Sequence, residues 1–231
     1  MKPIKLIDRA TTPDGKPLTL HEHDGEFIIR VDGVDLMSTR QHHSEERLAE
    51  AVCRRIECRT RCPRMLIGGL GLGFTLRAAL AHMGPDARVV VAEIMPAVVR
   101  WNQTAAYGLG GDALTDPRVD IVVGDVADVM RKSPGRFDAV ILDVDNGASG
   151  LSTAANDGLY TAAGLGRARA ALRPGGCLAI WSAGDDPACV RRMRQCGFDV
   201  VVERARTHAG GGGWIHFFIG IAGGGGSSAS R

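Results

Sequence analysis

No apolar run in this 231-residue chain approaches the roughly 20 residues that a membrane-spanning helix needs, so we expect no membrane segment. Residues 1–16 also lack the apolar core of a secretory signal peptide, and we therefore expect a cytoplasmic protein with reduced cysteines. The formal net charge of +2 gives no electrostatic argument for a nucleic-acid partner or an anionic membrane surface. The length leaves room for one substantial domain and a small additional region.

The cysteines lack the paired spacing of a zinc site. Cys53, Cys58 and Cys62 lie close together, but their gaps are not those of a C-x-x-C knuckle, and no matching second pair follows. Cys53 falls on the apolar face of a predicted helix, as a small buried hydrophobic residue would. We therefore expect no metal.

A run of glycines follows a short apolar segment near residue 65. The segment 65–67 is typical of a buried strand, and Gly69, Gly71 and Gly73 follow it in a G-x-G-x-G pattern. Apolar residues then recur at three- and four-residue steps, which predicts a helix. Glycines let the turn approach a ligand closely, and the helix start directs its amides and positive dipole end at that ligand. The sequence therefore predicts the opening of a nucleotide-binding βαβ unit.

The glycine spacing and the next strand indicate which nucleotide is bound. Dinucleotide folds use G-x-G-x-x-G, whereas here Phe74 and Thr75 follow the third glycine. The pattern resembles the first motif of class I S-adenosylmethionine-dependent transferases. The next strand ends in Glu93, whose carboxylate can accept hydrogen bonds from both ribose hydroxyls of an adenosine. Glu93 can also be an acid that precedes a helix, but the turn and the acid occur together in the order that nucleotide binding needs.

Beyond the glycine turn, predicted strands and helices alternate. They lie at 88–93, 96–106, 119–123, 126–130, 137–142, 161–172 and 177–181. Asp186 caps a further helix, and two last strands are joined by a loop at 204–214, which implies that the last strand is antiparallel. The alternation predicts an α/β protein with a Rossmann-like class I methyltransferase fold, in which a mostly parallel seven-stranded sheet has helices on both faces.

Residues 17–38 predict a small three-stranded β meander. Two Asp-Gly pairs, at 24–25 and 32–33, separate runs that alternate apolar and polar residues, which is a strong hairpin signal. A sheet this small is not stable alone, so it must pack on the main domain or on a second subunit.

Three regions follow from these patterns. We expect an N-terminal β region at 1–42, an adenosyl-binding catalytic domain at 43–222, and a disordered Gly/Ser-rich tail at 223–231. Ser44 is the expected N-cap of the first helix. His42 and His43 precede it without a visible acidic partner, which favours a solvated loop over a substrate lid.

Three more acids follow predicted strands, where a ligand lies in an open α/β sheet. Asp125 can accept a hydrogen bond from an adenine amino group and can also cap the next helix. Asp143 directly follows the strand FDAVIL, and Asp145 continues the same loop. One acid there can form a turn, but two in a D-x-D-N sequence over the expected cofactor site favour contact with a substrate.

Three segments together resemble the spermidine synthase (polyamine aminopropyltransferase) family. They are FDAVILDVDNG, then Gly158-Leu159-Tyr160, then ALRPGGCLAI, and the resemblance covers about residues 26–182. It implies that Asp143 is the catalytic aspartate, that Glu93 and Asp125 bind ribose and adenine, and that Tyr160 is the tyrosine after the loop. It also implies a homodimer that forms through the N-terminal region.

The chain departs from that family at the polyamine end. The family loop GGGDGG contains an aspartate that faces the aminopropyl amine, whereas GGLGLG has none. Asn146 replaces the second aspartate of the family's D-S-S-D-P motif. The Tyr-His pair at the start of the N-terminal helix is replaced around Glu45-Glu46, and a glutamine after the PGG turn is replaced near Trp181. The acids that the resemblance assigns to the nucleoside, Glu93 and Asp125, are both present.

Three functions remain open. The first is transfer of an aminopropyl-type group from S-adenosylmethionine or its decarboxylated form to a small amine, with Asp143 or Asp145 accepting the proton and Tyr160 holding the acceptor. The second is a small-molecule methyltransferase, favoured by the missing loop aspartate because an acid there would repel the methionine carboxylate. The third is a non-catalytic module that binds an adenosyl ligand. For all three we expect no metal and no nucleic-acid partner.

Overall fold

The computed structural model describes residues 3–56, 59–144, 158–208 and 210–223, which form two β-sheets and the helices around them. Asp145 of the predicted transfer loop and the predicted tail beyond residue 223 lie outside these ranges.

The N-terminal sheet is antiparallel and has four strands in chain order. They are β1 (Lys5–Thr11), β2 (Pro17–His23), β3 (Glu26–Val31) and β4 (Val34–Ser38). Both Asp-Gly pairs adopt positive φ at both residues, as type I′ hairpin turns require. The three predicted strands are present as β2, β3 and β4. The predicted number of strands is wrong, because a fourth strand, β1, pairs with β2. The segment KLIDRAT lacks a regular apolar alternation, and its residues remain exposed or half-buried.

This sheet packs on the main domain of the same chain. Leu18, Leu20 and Ile29 are buried in one core cluster with residues of the glycine turn. Trp101 Nε1 donates a hydrogen bond to Asp8 Oδ2 at 2.7 Å. The small sheet therefore has the apolar partner that it needs without a second subunit.

The main sheet has seven strands in the order β10-β11-β9-β8-β5-β6-β7. The strands are β5 (Arg64–Gly68), β6 (Arg88–Glu93), β7 (Val119–Val123), β8 (Phe137–Leu142), β9 (Leu172–Ser182), β10 (Phe198–His208) and β11 (Gly211–Ala222). Strand β11 runs antiparallel to both of its neighbours, β9 and β10, and the other neighbouring pairs among these strands are parallel. The predicted α/β fold with a mostly parallel seven-stranded sheet is confirmed.

The predicted loop at 204–214 is wrong, because most of it belongs to a long hairpin of β10 and β11. Arg206 pairs with Trp214 across the hairpin, and its guanidinium lies 3.7 Å from the centroid of the indole ring. Arg204 approaches the same ring at 5.5 Å. Such cross-strand contacts stabilise a glycine-rich strand that has little intrinsic β-propensity.

Helices cover both faces of the main sheet. They are α1 (His43–Ile56), α2 (Phe74–His82), α3 (Pro96–Gln103), α4 (Val126–Lys132), α5 (Ala162–Ala171) and α6 (Pro187–Gln195). The first three pack on one core cluster and the last three on the other. Within the described ranges, no helix combines the length and the apolar character needed to span a membrane.

One predicted helix cap is confirmed and one is wrong. Asp186 Oδ1 accepts a hydrogen bond from Cys189 N at 2.8 Å, as an N-cap does. Ser44 lies inside the first turn of α1, where it is buried and its hydroxyl donates to Glu45 Oε2 at 2.5 Å. The helix begins at His43, two residues earlier than an N-cap at Ser44 predicts, so the Ser44 hydroxyl donates to a neighbouring carboxylate.

Candidate functional site

A cleft lies between the carboxyl ends of the parallel strands and the N-terminal sheet. Gly69, Gly71, Glu93, Asp125 and Asp143 all line it, so the structure brings most of the predicted site residues together. The opposite wall comes from the N-terminal sheet and includes Thr12, Leu36 and Met37. The cleft has an empty volume of about 830 Å³ counted to its open mouth, which includes open solvent.

Three glycines of the turn adopt the left-handed backbone conformation, which residues with a side chain rarely adopt. Gly69, Gly71 and Gly73 have φ of 91°, 52° and 81°. A Cβ on Gly69 would lie 2.2 Å from the carbonyl oxygen of Asp143, and one on Gly71 would lie 2.8 Å from Met37 Sδ. The turn therefore lies against the end of β8 on one side, where the backbone leaves no space for a Cβ on Gly69, and against the flexible Met37 side chain of the N-terminal sheet on the other.

Asn102 of α3 holds this turn from behind. Its Nδ2 donates to the carbonyl oxygens of Gly71 at 2.8 Å and of Val98 at 2.9 Å, and the side chain is buried. Sequence reasoning missed this residue, since no motif distinguishes it from any other polar residue of a helix.

Glu93 is fixed by backbone amides at the end of β6. Its Oε2 accepts from Leu70 N within the glycine turn at 2.8 Å, and its Oε1 accepts from Met95 N at 2.7 Å. A carboxylate offers about four lone-pair sites on its two oxygens, and this one faces the space of the cleft. The side chain is 6% exposed and lines the cleft, and its ribose role stays a prediction.

Asp125 has one of its two expected roles, the helix cap. Its Oδ1 accepts from Ala127 N at 2.7 Å, which makes it the N-cap of α4. It is half-buried and lines the cleft, so the cap leaves it available to a ligand. The contact with adenine stays a prediction.

Asp143 ends β8 and is linked to the start of α2. Its Oδ2 accepts a hydrogen bond from the Thr75 hydroxyl at 2.5 Å. Burial raises the pKa of Asp143 to about 6, and the Thr75 hydrogen bond partly opposes this rise. Thr75 is buried in the first turn of α2, and sequence reasoning did not select it.

Glu45, in the first turn of α1, is a second carboxylate beside Asp143. Burial raises the pKa of Glu45 to about 7, and the Asp143 charge adds to that rise. Neither carboxylate forms an ion pair with an arginine, lysine or histidine in the described part of the chain. Sequence reasoning treated Glu45 only as a helix-start acid, although it falls where the family's Tyr-His pair is replaced.

His42 and Phe74 form a small cluster beside this carboxylate pair. The His42 ring stacks on Phe74 with centroids 4.4 Å apart, and the Arg77 guanidinium lies 4.4 Å from the Phe74 centroid. His42 Nδ1 lies 2.9 Å from Glu46 Oε1. The expectation that His42 has no acidic partner is therefore wrong, because the helical spacing brings residue 46 next to it.

Tyr160 is not among the described residues that line the cleft. It is buried under the end of β8, and its hydroxyl donates to Val144 O at 3.4 Å. Arg192 Nε donates to its carbonyl oxygen at 2.9 Å. Its contact with an acceptor therefore stays a prediction.

Known proteins with similar sequences share one activity name. A polyamine aminopropyltransferase of Thermoanaerobacter sp. (strain X514) is 42% identical over 79 residues, which are 34% of this chain and 28% of that protein. One of Mycobacterium tuberculosis is 30% identical over 119 residues, which are 50% of this chain and 22% of that protein. The spermidine-synthase-like resemblance is confirmed. The chain spans less than a third of the length of these curated relatives, and no protein-family model matches it.

Solved spermidine synthases share the fold. The enzyme of Thermotoga maritima superposes with a TM-score of 0.75 at 21% identity, over 95% of this chain and 73% of that one. A probable spermidine synthase of Corynebacterium glutamicum superposes with a TM-score of 0.66 at 18% identity, over 100% of this chain and 84% of that one. At this identity the likeness shows the spermidine synthase fold and no more.

Proposed function

We propose that this chain is a spermidine-synthase-like transferase that binds an adenosyl sulfonium in the cleft and transfers its aminopropyl-type group to a small amine. The observation that most supports this proposal is the position of Asp143. Its carboxylate lines the same cleft as the glycine turn and Glu93, on the side toward α1 and α2. The names of the curated relatives support decarboxylated S-adenosylmethionine as the donor.

In this proposal the nucleoside is held by Glu93 and Asp125, whose carboxylates accept hydrogen bonds from backbone amides. Glu93 accepts hydrogen bonds from the ribose hydroxyls through its remaining lone pairs, and Asp125 accepts one from the adenine amino group. The glycine turn allows the ligand to approach the backbone closely, and the start of α2 directs its amides toward the ligand.

The transfer step is a displacement at carbon. The lone pair of the amine nitrogen attacks the methylene carbon bound to the sulfonium, the C–N bond forms, and the C–S bond breaks. The electron pair returns to sulfur, which leaves as the neutral thioether of methylthioadenosine. The lone pair is available for attack because the substrate ammonium first gives one proton to Asp143, and the new C–N bond returns the positive charge to the nitrogen.

Asp143 is suited to accept this proton. An amine with a pKa near ~10 requires about 4 kcal/mol to deprotonate at pH 7. A base with a pKa closer to neutrality than an ordinary carboxylate is more effective, and burial raises the pKa of Asp143 to about 6. The nearby Glu45 carboxylate adds negative potential that favours a cationic amine at the same place.

A methyltransferase that uses intact S-adenosylmethionine is the second candidate. It is supported by the contact of Met37 with Gly71, where the family loop has an acid that faces the aminopropyl amine. The thioether of Met37 carries no charge, so it neither anchors an amine nor repels the carboxylate of methionine.

Calorimetry on the purified chain separates these functions. S-adenosylmethionine, its decarboxylated form and methylthioadenosine are titrated in turn, and each donor is then incubated with a panel of small primary amines. We expect tighter binding of the decarboxylated donor and release of methylthioadenosine. Release of S-adenosylhomocysteine from the intact donor would replace this proposal with a methyltransferase. Nucleoside binding without release of either product would leave a non-catalytic adenosyl-binding module.

We also propose a homodimer that forms through the N-terminal region at 1–42. Ile4, Leu6 and Val34 of this region are 48%, 37% and 49% exposed, which supports a further apolar contact there. Sedimentation at micromolar concentration tests the dimer, and a purely monomeric species would reject it. The cytoplasmic location and the absence of a nucleic-acid partner stay predictions.

A further inference from the structure

A row of arginines crosses the edge of the main sheet opposite the cleft. Arg64 and Arg88 are the first residues of β5 and β6, and Arg118 and Arg136 immediately precede β7 and β8. Because the strand order is β8-β5-β6-β7, these arginines start four neighbouring strands. Arg64 and Arg88 are direct partners in the register of β5 and β6. We call this set the arginine row.

The arginine row borders a second cavity, which lies between α4 and the β6–β7 edge of the sheet. Its empty volume is about 960 Å³ counted to its open mouth. Its apolar lining residues are Val89, Val90, Val122, Val129 and Phe137. The cavity thus combines an apolar floor with several guanidinium groups.

One arginine of the row, Arg118, already has hydrogen-bond and ion-pair partners within the protein. Arg118 forms an ion pair with Asp116 at 2.8 Å and donates to the carbonyl oxygens of Leu80 and Met83 at the carboxyl end of α2. It is therefore a structural cation that satisfies the carboxyl end of a helix.

The other three arginines lack such a partner. Within the described ranges, no carboxylate lies within 4 Å of the guanidinium of Arg64, Arg88 or Arg136, all of which are exposed. Arg88 Nη1 donates only to Ala87 O at 2.8 Å. Neighbouring strands lie about 4.8 Å apart, and like charges on directly paired residues are unfavourable. Asp120 also lines the cavity, so an excess of positive charge remains.

We propose that this cavity is a binding site for a small phosphate ester with an apolar organic group. Guanidinium groups match phosphate oxygens through paired hydrogen bonds, and a dianion removes the repulsion within the arginine row. The hydroxyl of Ser133, which also lines the cavity, can donate a further hydrogen bond to phosphate. The valines and Phe137 provide the surface for the organic group.

This site is independent of the adenosyl cleft. The cleft lies beyond the carboxyl ends of the strands, whereas the arginine row lies at their amino ends. Arg88 and Glu93 are the first and last residues of the six-residue strand β6, and a strand of that length spans on the order of 20 Å. Binding at the arginine row therefore does not require the function proposed for the cleft.

The test is a calorimetric titration of the full chain with phenyl phosphate, in the absence and in the presence of saturating methylthioadenosine. We expect binding in both cases, tighter than that of inorganic phosphate, and weaker at high salt. The double variant Arg64→Gln, Arg88→Gln should bind at least tenfold more weakly. Both side chains are exposed, so the variant should keep its melting temperature.

The matched control removes two arginines from another exposed surface. Arg47 and Arg54 of α1 both pair with Glu50, and Arg47→Gln, Arg54→Gln should bind phenyl phosphate as the natural chain does. Equal weakening in both double variants would show a general charge effect and overturn the site. Absence of phenyl phosphate binding, or competition with methylthioadenosine, would overturn it as well.

Discussion

The two ends of the cleft hold their carboxylates in different ways. At the end that we propose to bind the nucleoside, here called the nucleoside end, both oxygens of Glu93 accept hydrogen bonds from backbone amides. At the end that we propose to perform transfer, here called the transfer end, Asp143 accepts one from the Thr75 hydroxyl, and the neighbouring acid is Glu45. The first carboxylate is satisfied by the fold, whereas the second belongs to an acidic pair that a proton or a cationic ligand would stabilise.

This difference separates binding from chemistry. Hydrogen bonds from two backbone amides hold a carboxylate in place, which suits the proposed binding of neutral hydroxyls. Burial beside a second acid brings a pKa toward neutrality, which suits a group that must exchange a proton. Substitutions at the two ends should therefore have different effects on affinity and rate.

The largest effect is expected at the transfer end. Asp143→Asn keeps the shape of the side chain but cannot accept a proton at neutral pH. We expect the release of methylthioadenosine from the decarboxylated donor to slow by about 10²–10⁴-fold, while methylthioadenosine itself binds with unchanged affinity. Initial rates with a reactive amine and calorimetry measure the two quantities.

The matched variant is Asp145→Asn, because Asp145 is the rival base in the same segment. A near-normal rate in Asp143→Asn together with a collapse in Asp145→Asn would show that the wrong carboxylate was chosen. Loss of methylthioadenosine affinity in Asp143→Asn would contradict the proposed separation of the two ends.

The glycine turn connects the two ends and should tolerate little change. A Cβ at Gly69 would lie 2.2 Å from Asp143 O, at a φ of +91°. We expect Gly69→Ala to lose about 2–4 kcal/mol of unfolding free energy, since a left-handed conformation and backbone overlap both oppose the side chain.

Gly25→Ala is the control for the conformational part of this loss. Gly25 has a φ of +82°, and nothing lies within 4 Å of its added Cβ. We expect it to lose only about 1–2 kcal/mol. Urea unfolding measures both variants, and equal losses would mean that contact with Asp143 O contributes nothing.

The nucleoside end was largely predictable from sequence because it is built from consecutive residues. A strand, a glycine turn and a helix follow one another from residue 64 to 82, and Glu93 ends the next strand. Chain order alone therefore placed the turn and this acid at one edge of the sheet. Asn102 was missed because its contact with Gly71 O depends on how α3 packs.

The transfer end was only half predictable for the same reason. Asp143 follows a strand, but its neighbours Glu45 and Thr75 come from the starts of two helices that are distant in sequence. Their meeting depends on the packing of α1 against α2 and β8, which local patterns do not specify. Strand β1 and the outer part of the β10–β11 hairpin, predicted as a loop at 204–214, were missed because polar or glycine-rich strands form through pairing and not through intrinsic propensity.

A smaller effect is expected at the nucleoside end. Glu93→Ala should weaken the binding of methylthioadenosine by about 1–3 kcal/mol, because it leaves the ribose hydroxyls without acceptors. It should also lower the melting temperature, since Leu70 N and Met95 N lose their partner. Calorimetry on a variant that remains folded by circular dichroism measures the affinity. Unchanged affinity would remove the ribose role.

The smallest effect is a pH dependence of stability from the acidic pair. The pKa values of Asp143 and Glu45 are raised to about 6 and about 7, mainly by burial. Below about pH 4 both carboxyl groups are protonated in the folded and in the unfolded chain, and the contribution of the pair to stability is fully present. From about pH 4 upward the unfolded chain releases protons that the folded protein still holds, so the free energy of unfolding falls until the pH has passed about 6 and 7. The natural chain should therefore melt at a lower temperature at pH 8 than at pH 5.

Glu45→Gln removes one acid of the pair and should flatten this dependence. The side chains are half-buried, so we expect screening by water to limit the change to about 1 kcal/mol, or about 2–4 °C in the melting temperature. Glu50→Gln is the control, because Glu50 lies on the same helix and pairs with Arg47 and Arg54. Differential scanning calorimetry at several pH values makes the comparison. An unchanged profile in Glu45→Gln, or an equal flattening in Glu50→Gln, would mean that Glu45 and Asp143 do not interact as a pair. The transfer end would then be no different in kind from the nucleoside end.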